Sequence, residues 1–268
     1  MKREKTVKND AFDLPEQLNE FAQFKNFPDS IKELADSAEE EDWTYRFATG
    51  EGLPILENYI RNTYTKLARE KKVSFSKDKK SCCFDTGLIS KKHAEPLYML
   101  FCENVNEKVK CYWHFHKFFR KGEHEVRRFE KLPEMAFYWD EPSKLVFDIR
   151  KPFVENTEHI ISDNKSRFPE PYNTWPDYNL KNYLDGCIKT SLERVKRNYK
   201  TAVPQYRLTT GTIQLLIPLC FDNPNKADLA IVVEDYGTLY RASTCLTLDM
   251  AINNARLLAR PDRDWLNP

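Results

Sequence analysis

Two histidines separated by one residue, His114 and His116, have the type and spacing to support chemistry. They lie in an apolar run that predicts a β-strand, so both imidazoles should project from the same face. Paired imidazoles can bind a metal ion or relay protons. Because the spacing fixes no third ligand, the pair alone predicts neither a metal site nor a reaction.

Asp85 is a second candidate, because Thr86 and Gly87 follow it at the predicted end of a strand. A carboxylate, a hydroxyl and a flexible backbone in such a loop could position a phosphate or a metal-bound water. The same residue types also form turns in which Asp85 accepts a hydrogen bond from its own backbone, and both interpretations stay open. Asp85, His114 and His116 are the predicted acid-base residues if the protein is an enzyme.

The segment from Tyr206 to Thr212 has the residue types of an anion site. Arg207 offers a planar fork of donors to a phosphate, threonine hydroxyls and the Gly211 backbone add hydrogen bonds, and an aromatic ring can stack on a base. Tyr206 or Trp113 would supply that ring.

The last predicted helix carries a polar stripe, which comprises Asp249, Asn253, Arg256 and Arg260. A solvated face has the same pattern, but the Asn253-Asn254 pair is unusual because asparagine is a poor residue inside a helix. The complete set of predicted ligand-binding residues is Tyr206, Arg207, Thr209, Thr210, Gln214, Asp249, Asn253 and Arg256.

The hydrophobic pattern predicts the elements that must position these residues. Strands are predicted at residues 82–88, 97–101, 110–119, 126–129, 135–139 and 145–149, and amphipathic helices from Leu53 and from Asp177 as N-cap. A long connection or lid should span residues 151–176. From Pro204 a strand, a hairpin and a Thr247-capped helix ending at Pro261 should form one unit. The predicted fold is α+β, with a largely antiparallel, meandering sheet and helices packed on one face.

Charge is unevenly distributed along the chain, although the net charge is only +1. Acids outnumber bases ten to two between Asp13 and Asp42, whereas residues 61–80 carry eight bases and two acids. We therefore predict an acidic helical arm over residues 1–42, and a single α+β domain with basic surface over residues 43–268.

Composition excludes several classes of protein. The seven glycines are not clustered, which argues against a phosphate-binding loop or a dinucleotide-binding turn. No apolar run is long enough to span a bilayer, and the charged start at Met1 lacks a signal core, so a cytoplasmic location is predicted. Seven scattered cysteines without a Cys-x-x-Cys motif predict free thiols in a reducing compartment, and no cofactor can be identified.

The chain resembles a bacterial domain-of-unknown-function family that sometimes lies beside cold-shock or OST-HTH (LOTUS) modules, which bind RNA. The resemblance covers roughly residues 45 to 266. It rests on four stretches: residues 84–88, residues 206–221, residues 227–234, and residues 247–266 with their ending Arg260-Pro261-Asp262-Arg263-Asp264-Trp265-Leu266. The presence of RNA-binding modules beside members of the family implies an RNA-related role. No appended RNA-binding module is recognisable here, which leaves open whether the chain acts on nucleic acid, on free nucleotides or through a partner.

These observations predict an RNA- or nucleotide-binding domain of a bacterial-type RNA-related system, in processing, stress or defence. One alternative is a phosphoester hydrolase acting on RNA ends or nucleotides. Another is a protein-interaction scaffold whose acidic N-terminal arm docks a partner. No membrane association is expected.

Overall fold

The computed structural model describes residues 14–46, 50–105, 110–260 and 266. Backbone contacts divide the chain into two units: unit 1 comprises Met1–Thr44 and Ala48–Phe137, and unit 2 comprises Tyr45–Phe47 and Tyr138–Pro268. Each unit contains one five-stranded sheet. In the described part of the chain, no helix has the length and apolar character needed to cross a lipid bilayer.

Unit 1 begins with helical segments that pack on its sheet. Their bounds, with one short strand, are α1 Leu18–Phe21, β1 Ala22–Gln23, α2 Phe27–Ser37 and α3 Pro54–Arg69. A proline stands in the first turn of α2 and of α3, where its missing N–H removes no helical hydrogen bond. The amphipathic stripe predicted for α3 is confirmed, because Leu56, Ile60 and Leu67 are fully buried.

The sheet of unit 1 is an antiparallel meander to which one parallel strand is added. Its remaining strands are β2 Ser74–Phe75, β3 Ser81–Ile89, β4 Pro96–Glu103 and β5 Trp113–Arg120. The spatial order is β1-β5-β4-β3-β2, and β1 pairs in parallel with β5. The strands predicted near residues 82–88 and 97–101 are therefore confirmed as β3 and β4.

Aromatic rings fill the core between the helices and one face of this sheet. The ring of Phe21 lies 4.7 Å from that of Tyr64 and 5.2 Å from that of Phe101, measured between centroids. Large rings of this kind dominate the apolar area that a core buries. The other face of the sheet carries a smaller apolar cluster, which comprises Cys83, Tyr98, Leu100, Phe119 and Phe129.

The segment predicted as an acidic arm contributes to that core. Leu18, Phe21, Ile31 and Leu34 are buried, and the Tyr64 hydroxyl donates a hydrogen bond to the backbone oxygen of Pro15 at 2.8 Å. The division into an arm over residues 1–42 and one domain over residues 43–268 stays a prediction. Removal of residues 1–42 would expose the apolar surface of unit 1.

Unit 2 contains the second sheet, with helices against it. Its elements are β6 Phe153–Glu155, α4 Thr157–Asn164, α5 Asp177–Arg197, β7 Val203–Arg207, β8 Thr212–Leu219, β9 Leu229–Asp235, β10 Tyr240–Thr247 and α6 Leu248–Ala255. The spatial order is β6-β10-β9-β8-β7, and only β6 is parallel to its neighbour. The long connection or lid predicted over residues 151–176 contains two regular elements that were not predicted, β6 and α4.

Helix α5 follows the predicted stripe closely. Leu180, Leu184, Ile188 and Val195 are buried against β8 and β9 in the main apolar cluster of unit 2. The N-cap is Pro176 rather than the predicted Asp177, which lies in the first turn. A carboxylate there still interacts favourably with the helix dipole.

Helix α6 is shorter than predicted. Thr247 caps it as expected, since its hydroxyl accepts a hydrogen bond from the backbone N–H of Met250. The predicted end at Pro261 is wrong: the helix ends at Ala255, and turns follow. A proline disfavours helical geometry only in the residue before it, here Arg260, so Pro261 does not account for an end five residues earlier.

Other predicted strands differ from the structure. Residues His124–Arg128 form a 3₁₀ helix, and the strand predicted from Lys110 begins at Trp113. Residues 135–139 and 145–149 form no strand within the described residues. The α+β class, the largely antiparallel pairing and the C-terminal β10–α6 unit are confirmed, with two sheets in place of the one that was predicted.

Candidate functional site

The Thr-Thr-Gly-Thr turn connects β7 to β8 and is exposed. The guanidinium of Arg207 donates from Nε to the Thr209 hydroxyl at 3.3 Å, and the hydroxyls of Thr210 and Thr212 lie 2.7 Å apart. Gly211 has a φ of +70°, which glycine adopts without strain. The polar groups of the turn therefore bond largely to one another.

Arg207 also faces a carboxylate of the protein itself. Its Nη1 lies 3.4 Å from Oε1 of Glu234, and the same oxygen accepts a hydrogen bond from Gln214 Nε2 at 2.8 Å. Tyr236 donates to the other carboxylate oxygen at 3.2 Å. A negative charge beside Arg207 disfavours a second anion at this place.

A row of amide side chains leads from Glu234 back to α6. Asn254 Nδ2 donates to Gln205 Oε1 at 3.1 Å, Gln205 Nε2 donates to Gln214 Oε1 at 2.9 Å, and Gln214 donates to Glu234. Gln205 and Gln214 are buried, so these bonds satisfy groups that have lost water. We call Asn254, Gln205, Gln214 and Glu234 the amide row. Gln214 is structural in this arrangement, and its side chain is not open to a ligand.

The predicted polar residues of α6 do not converge on the turn. Asp249 lies in the first turn of the helix, where partial burial raises the pKa of its carboxyl. Asn253 Nδ2 donates to the Tyr45 hydroxyl at 2.7 Å. Arg256 follows the end of the helix and is only 9% exposed. The stripe that the sequence predicts is therefore broken after Ala255.

Neither predicted stacking ring is accessible. Tyr206 is 3% exposed and packs edge-on against Tyr138, with centroids 4.9 Å apart. Trp113 is 6% exposed and packs among Phe21, Phe75 and Tyr112. Both rings belong to the cores of their units.

Asp85 forms the turn that was one of its two predicted roles. Its Oδ1 accepts a hydrogen bond from the backbone N–H of Gly87 at 2.8 Å, and the Thr86 hydroxyl donates to the backbone oxygen of Leu97 at 2.7 Å. The β3–β4 register slips between Asp85 and Ile89, so the turn is a bulge in the strand. Burial raises the pKa of Asp85 to about 6, and the Gly87 N–H opposes that shift.

The two histidines lie at the other end of the sheet of unit 1, and a bulge separates them. His114 pairs with Cys102, but the register then jumps from Phe115 to Lys117, so His116 has no partner on β4. The prediction of strict alternation is therefore wrong here, and Lys117 takes the register position expected for His116. Partial desolvation, then the nearby charges of Arg128, His114 and Lys117, lower the pKa of His116, while Glu125 opposes them.

The structure does not bring Asp85 together with the histidines. Ser81 pairs with Cys102, which pairs with His114, and Asp85 lies four residues beyond Ser81 on β3. At about 3.3 Å per residue, that separation is roughly 13 Å along the strand alone. Among the described residues, no three His, Cys, Asp or Glu side chains are grouped so that they could hold a metal ion.

Basic side chains surround the histidine end of this sheet. The backbone N–H of Lys77, in the turn between β2 and β3, donates to the backbone oxygen of Arg128 at 3.2 Å. Arg128 Nη1 reaches the Ser81 hydroxyl at 3.3 Å and lies 3.9 Å from the sulfur of Cys102. We define the basic face as Lys77, Lys79, Lys80, Arg127 and Arg128, with His114 and His116 beside them.

The five lysine and arginine residues of the basic face are exposed, and within the described chain none of them forms an ion pair. Lys117, in contrast, is paired with Glu125 at 2.8 Å. Sequence reasoning recognised the basic run that ends at Lys80 but missed Arg127 and Arg128. The path of the 3₁₀ helix after β5, which brings Arg128 to Ser81, is not visible in the sequence.

Unit 2 has a separate groove of about 260 Å³ between the turn after α5 and the chain after α6. Its lining is largely apolar, with Val203 and Ala255 among the residues, and it also includes Tyr199, Lys200 and Arg260. Tyr199 is 62% exposed. An exposed ring beside cationic side chains can stack on a base while the cations approach phosphate.

Comparison with known proteins gives a family but no activity. The profile of a domain of unknown function, DUF3825, matches residues 34–265. A search of curated proteins and a search of solved structures each found no match.

Proposed function

The chain belongs to the DUF3825 family of domains of unknown function, and we propose that it binds RNA through the basic face of unit 1. The observation that carries this proposal is the concentration of exposed, unpaired lysine and arginine side chains around one end of the sheet. Such side chains neutralise phosphates and release counterions, which is the main source of sequence-independent affinity for nucleic acid.

The basic face also carries polar groups that could contact an RNA strand. Ser81, Cys102 and His114 form a cross-strand row beneath Arg128, so small polar groups rather than bulky side chains lie between the cations. Hydroxyl and imidazole groups can add hydrogen bonds to phosphates or to the ribose 2′-hydroxyl. Among the described residues, the basic face has no exposed phenylalanine, tyrosine or tryptophan, so we expect little preference for base sequence.

Fluorescence anisotropy with a labelled 20-nucleotide single-stranded RNA tests the proposal. The key variant combines Lys77→Ala, Lys79→Ala and Lys80→Ala, and we expect about a tenfold or larger loss of affinity at 100 mM salt. The slope of log affinity against log salt should fall by about 2, at roughly 0.7 for each lost phosphate contact.

The chain offers a control with the same change of charge. Lys91, Lys92 and Lys121 are exposed near the opposite end of the same sheet, and their replacement by alanine should leave affinity within about twofold of the parent. Equal losses in both triple variants would mean that net charge alone drives binding. An unaffected Lys77/Lys79/Lys80 variant would place any RNA site elsewhere.

A nucleotide site in the groove of unit 2 is a second candidate, favoured by the exposed ring of Tyr199 beside Lys200 and Arg260. Titration with nucleoside monophosphates, followed by tyrosine fluorescence or NMR, would detect it. Tyr199→Ala should abolish that binding and leave RNA binding by unit 1 intact. Saturating binding by the Tyr199→Ala variant would exclude the groove.

The other predicted roles receive less support from the geometry. Hydrolysis that uses Asp85 with His114 and His116 would need these residues in one site, but Asp85 lies far from the two histidines. A scaffold role of residues 1–42 stays a prediction, as do a cytoplasmic location and a place in a bacterial RNA-related system. The last of these rests only on the sequence resemblance, which implies a family that sometimes lies beside RNA-binding modules.

A further inference from the structure

Two cysteines that are far apart in sequence, Cys187 on α5 and Cys220 just after β8, line the same cavity. The Tyr183 hydroxyl donates to the backbone oxygen of Phe221 at 2.7 Å, and the Ser191 hydroxyl donates to that of Pro218 at 2.5 Å. Cys187 is one helical turn from both Tyr183 and Ser191, on the same stripe of the helix. Cys220 lies between Pro218 and Phe221. The two hydrogen bonds therefore hold the helix segment around Cys187 against the chain segment that carries Cys220.

Both thiols open into one groove. A cavity of about 380 Å³ is lined by Cys187 and Cys220, with Gly186, Thr190 and Arg194 around them. Both cysteines are partly exposed, whereas Cys82, Cys83 and Cys245 are buried. Since Gly186 has no side chain, the surface beside Cys187 is open to small molecules.

A cation distinguishes the two sulfur atoms. Arg194 Nη1 lies 3.7 Å from the sulfur of Cys220. Burial raises the pKa of Cys220, and Arg194 opposes that shift, while Asp228 adds to it. Burial raises the pKa of Cys187 to about 11, and Cys220 and Asp228 contribute to the rise. Cys220 is therefore the better nucleophile of the pair, because its thiolate has a cation beside it.

We propose that Cys187 and Cys220 form a dithiol site that hydrogen peroxide oxidises to an intramolecular disulfide. The thiolate of Cys220 attacks one peroxide oxygen, the O–O bond breaks, and the leaving hydroxide takes a proton to become water. The resulting sulfenic acid at Cys220 is attacked by the sulfur of Cys187, which loses its proton as a second water departs. The two thiols lose two electrons and two protons in all, and the peroxide is reduced to two waters.

The dithiol site is independent of the proposed RNA binding, because it lies in unit 2 and uses none of the basic face. Peptide mapping of the full chain after peroxide treatment, thiol alkylation and non-reducing digestion tests it directly. We expect the peptides of Cys187 and Cys220 to be linked before any other pair. If the other thiols oxidise while these peptides remain unlinked, the proposal is overturned.

Three variants separate the two roles and the contribution of Arg194. In Cys187→Ser, a sulfenic acid at Cys220 should persist and be trapped by dimedone. In Cys220→Ser, dimedone should label Cys187 at least fivefold less, and Arg194→Gln should slow formation of the disulfide severalfold. Cys111→Ser removes another partly exposed thiol, outside unit 2, and should change nothing. Equal dimedone labelling of Cys187 and Cys220 would overturn the assignment of the nucleophile.

Discussion

Arg207 Nη1 lies 3.4 Å from Oε1 of Glu234, so the residue best suited by type to bind a phosphate already faces a carboxylate. The same carboxylate closes the amide row, which buries Gln205 and Gln214 between β7, β8 and α6. Among the described residues, this turn therefore does not present an open site for an anion. The basic face of unit 1 is the better phosphate surface, because its lysine and arginine side chains form no ion pair within the described chain. The Asp78 carboxylate among them accepts hydrogen bonds from the Ser76 hydroxyl and the backbone N–H of Lys80.

Replacement of Arg207 by alanine tests that conclusion. We expect Arg207→Ala to leave RNA affinity within about twofold of the parent, since phosphate contacts rather than a paired arginine control affinity. Stability should fall by less than about 1 kcal/mol, as for other exposed ion pairs. Fluorescence anisotropy and urea denaturation give the two values. A tenfold loss of affinity would return the RNA site to the Thr-Thr-Gly-Thr turn.

Disruption of the amide row should destabilise unit 2. Gln214→Leu leaves the Gln205 amide without its acceptor and Glu234 without one donor, and each buried unpaired group costs about 1–3 kcal/mol. Adding Gln205→Leu removes one of those unpaired groups, so the double variant should lose less than the sum of the single losses. Urea denaturation of the parent, the two single variants and the double variant measures their free energies of unfolding, from which the coupling between the two amides is calculated. Strict additivity would mean that the two amides do not depend on each other.

Gly87 is the one position in the Asp85 turn where a larger residue cannot fit. Its φ is +74°, and a Cβ there would lie 2.4 Å from the Tyr59 hydroxyl oxygen. We expect Gly87→Ala to cost about 2–4 kcal/mol, from backbone strain of about 1–2 kcal/mol together with the clash. In a Tyr59→Phe background the nearest remaining atom is 3.6 Å away, so the cost should fall towards the strain alone. An identical cost in both backgrounds would contradict the clash.

The raised pKa of Asp85, about 6, predicts a pH dependence of stability. The folded state binds this proton more tightly than the unfolded state, whose pKa is about 3.9. Protonated Asp85 therefore stabilises the folded state fully below about pH 4. This stabilisation is lost as the pH rises through about 6, and it does not return at higher pH.

Asp85→Asn keeps an acceptor for the Gly87 N–H but cannot ionise. We expect the variant to gain on the order of 2 kcal/mol relative to the parent between pH 4 and pH 7, with little change beyond. Urea denaturation at matched pH values measures this difference. A constant difference across the range would show that the carboxyl keeps an ordinary pKa.

Helices and strands with a strong apolar periodicity were predictable from the sequence. Strands whose existence depends on a hydrogen-bonded neighbouring strand were not. The stripes of α3 and α5 determine which face each helix buries, and β3 and β4 carry unmistakable apolar runs. Residues 135–138 also alternate, with Ala136 and Tyr138 buried and Met135 and Phe137 exposed. Alternation indicates an extended chain, but a strand also needs a neighbour with free hydrogen-bonding groups.

The candidate site was less predictable for the same reason. Residue types identified Arg207 and Gln214 as candidate ligand-binding residues, but they did not identify Glu234 on β9, whose carboxylate contacts both. A bulge at His116 altered which side chains share a face of β5. Sequence spacing reports neither cross-strand partners nor bulges, and these decide which charges are left without a partner.

Every amide in the row from Asn254 to Glu234 points its N–H groups the same way, towards the carboxylate. Hydrogen bonds aligned in this manner polarise one another. The negative charge of Glu234 favours this direction, because it attracts the N–H groups. An uncharged side chain at that position would make the two directions nearly equivalent in energy. Reversal of the row would turn the Gln214 amide oxygen towards this carboxylate, so Glu234 fixes the orientation of the amides as far as Asn254 in the last turn of α6.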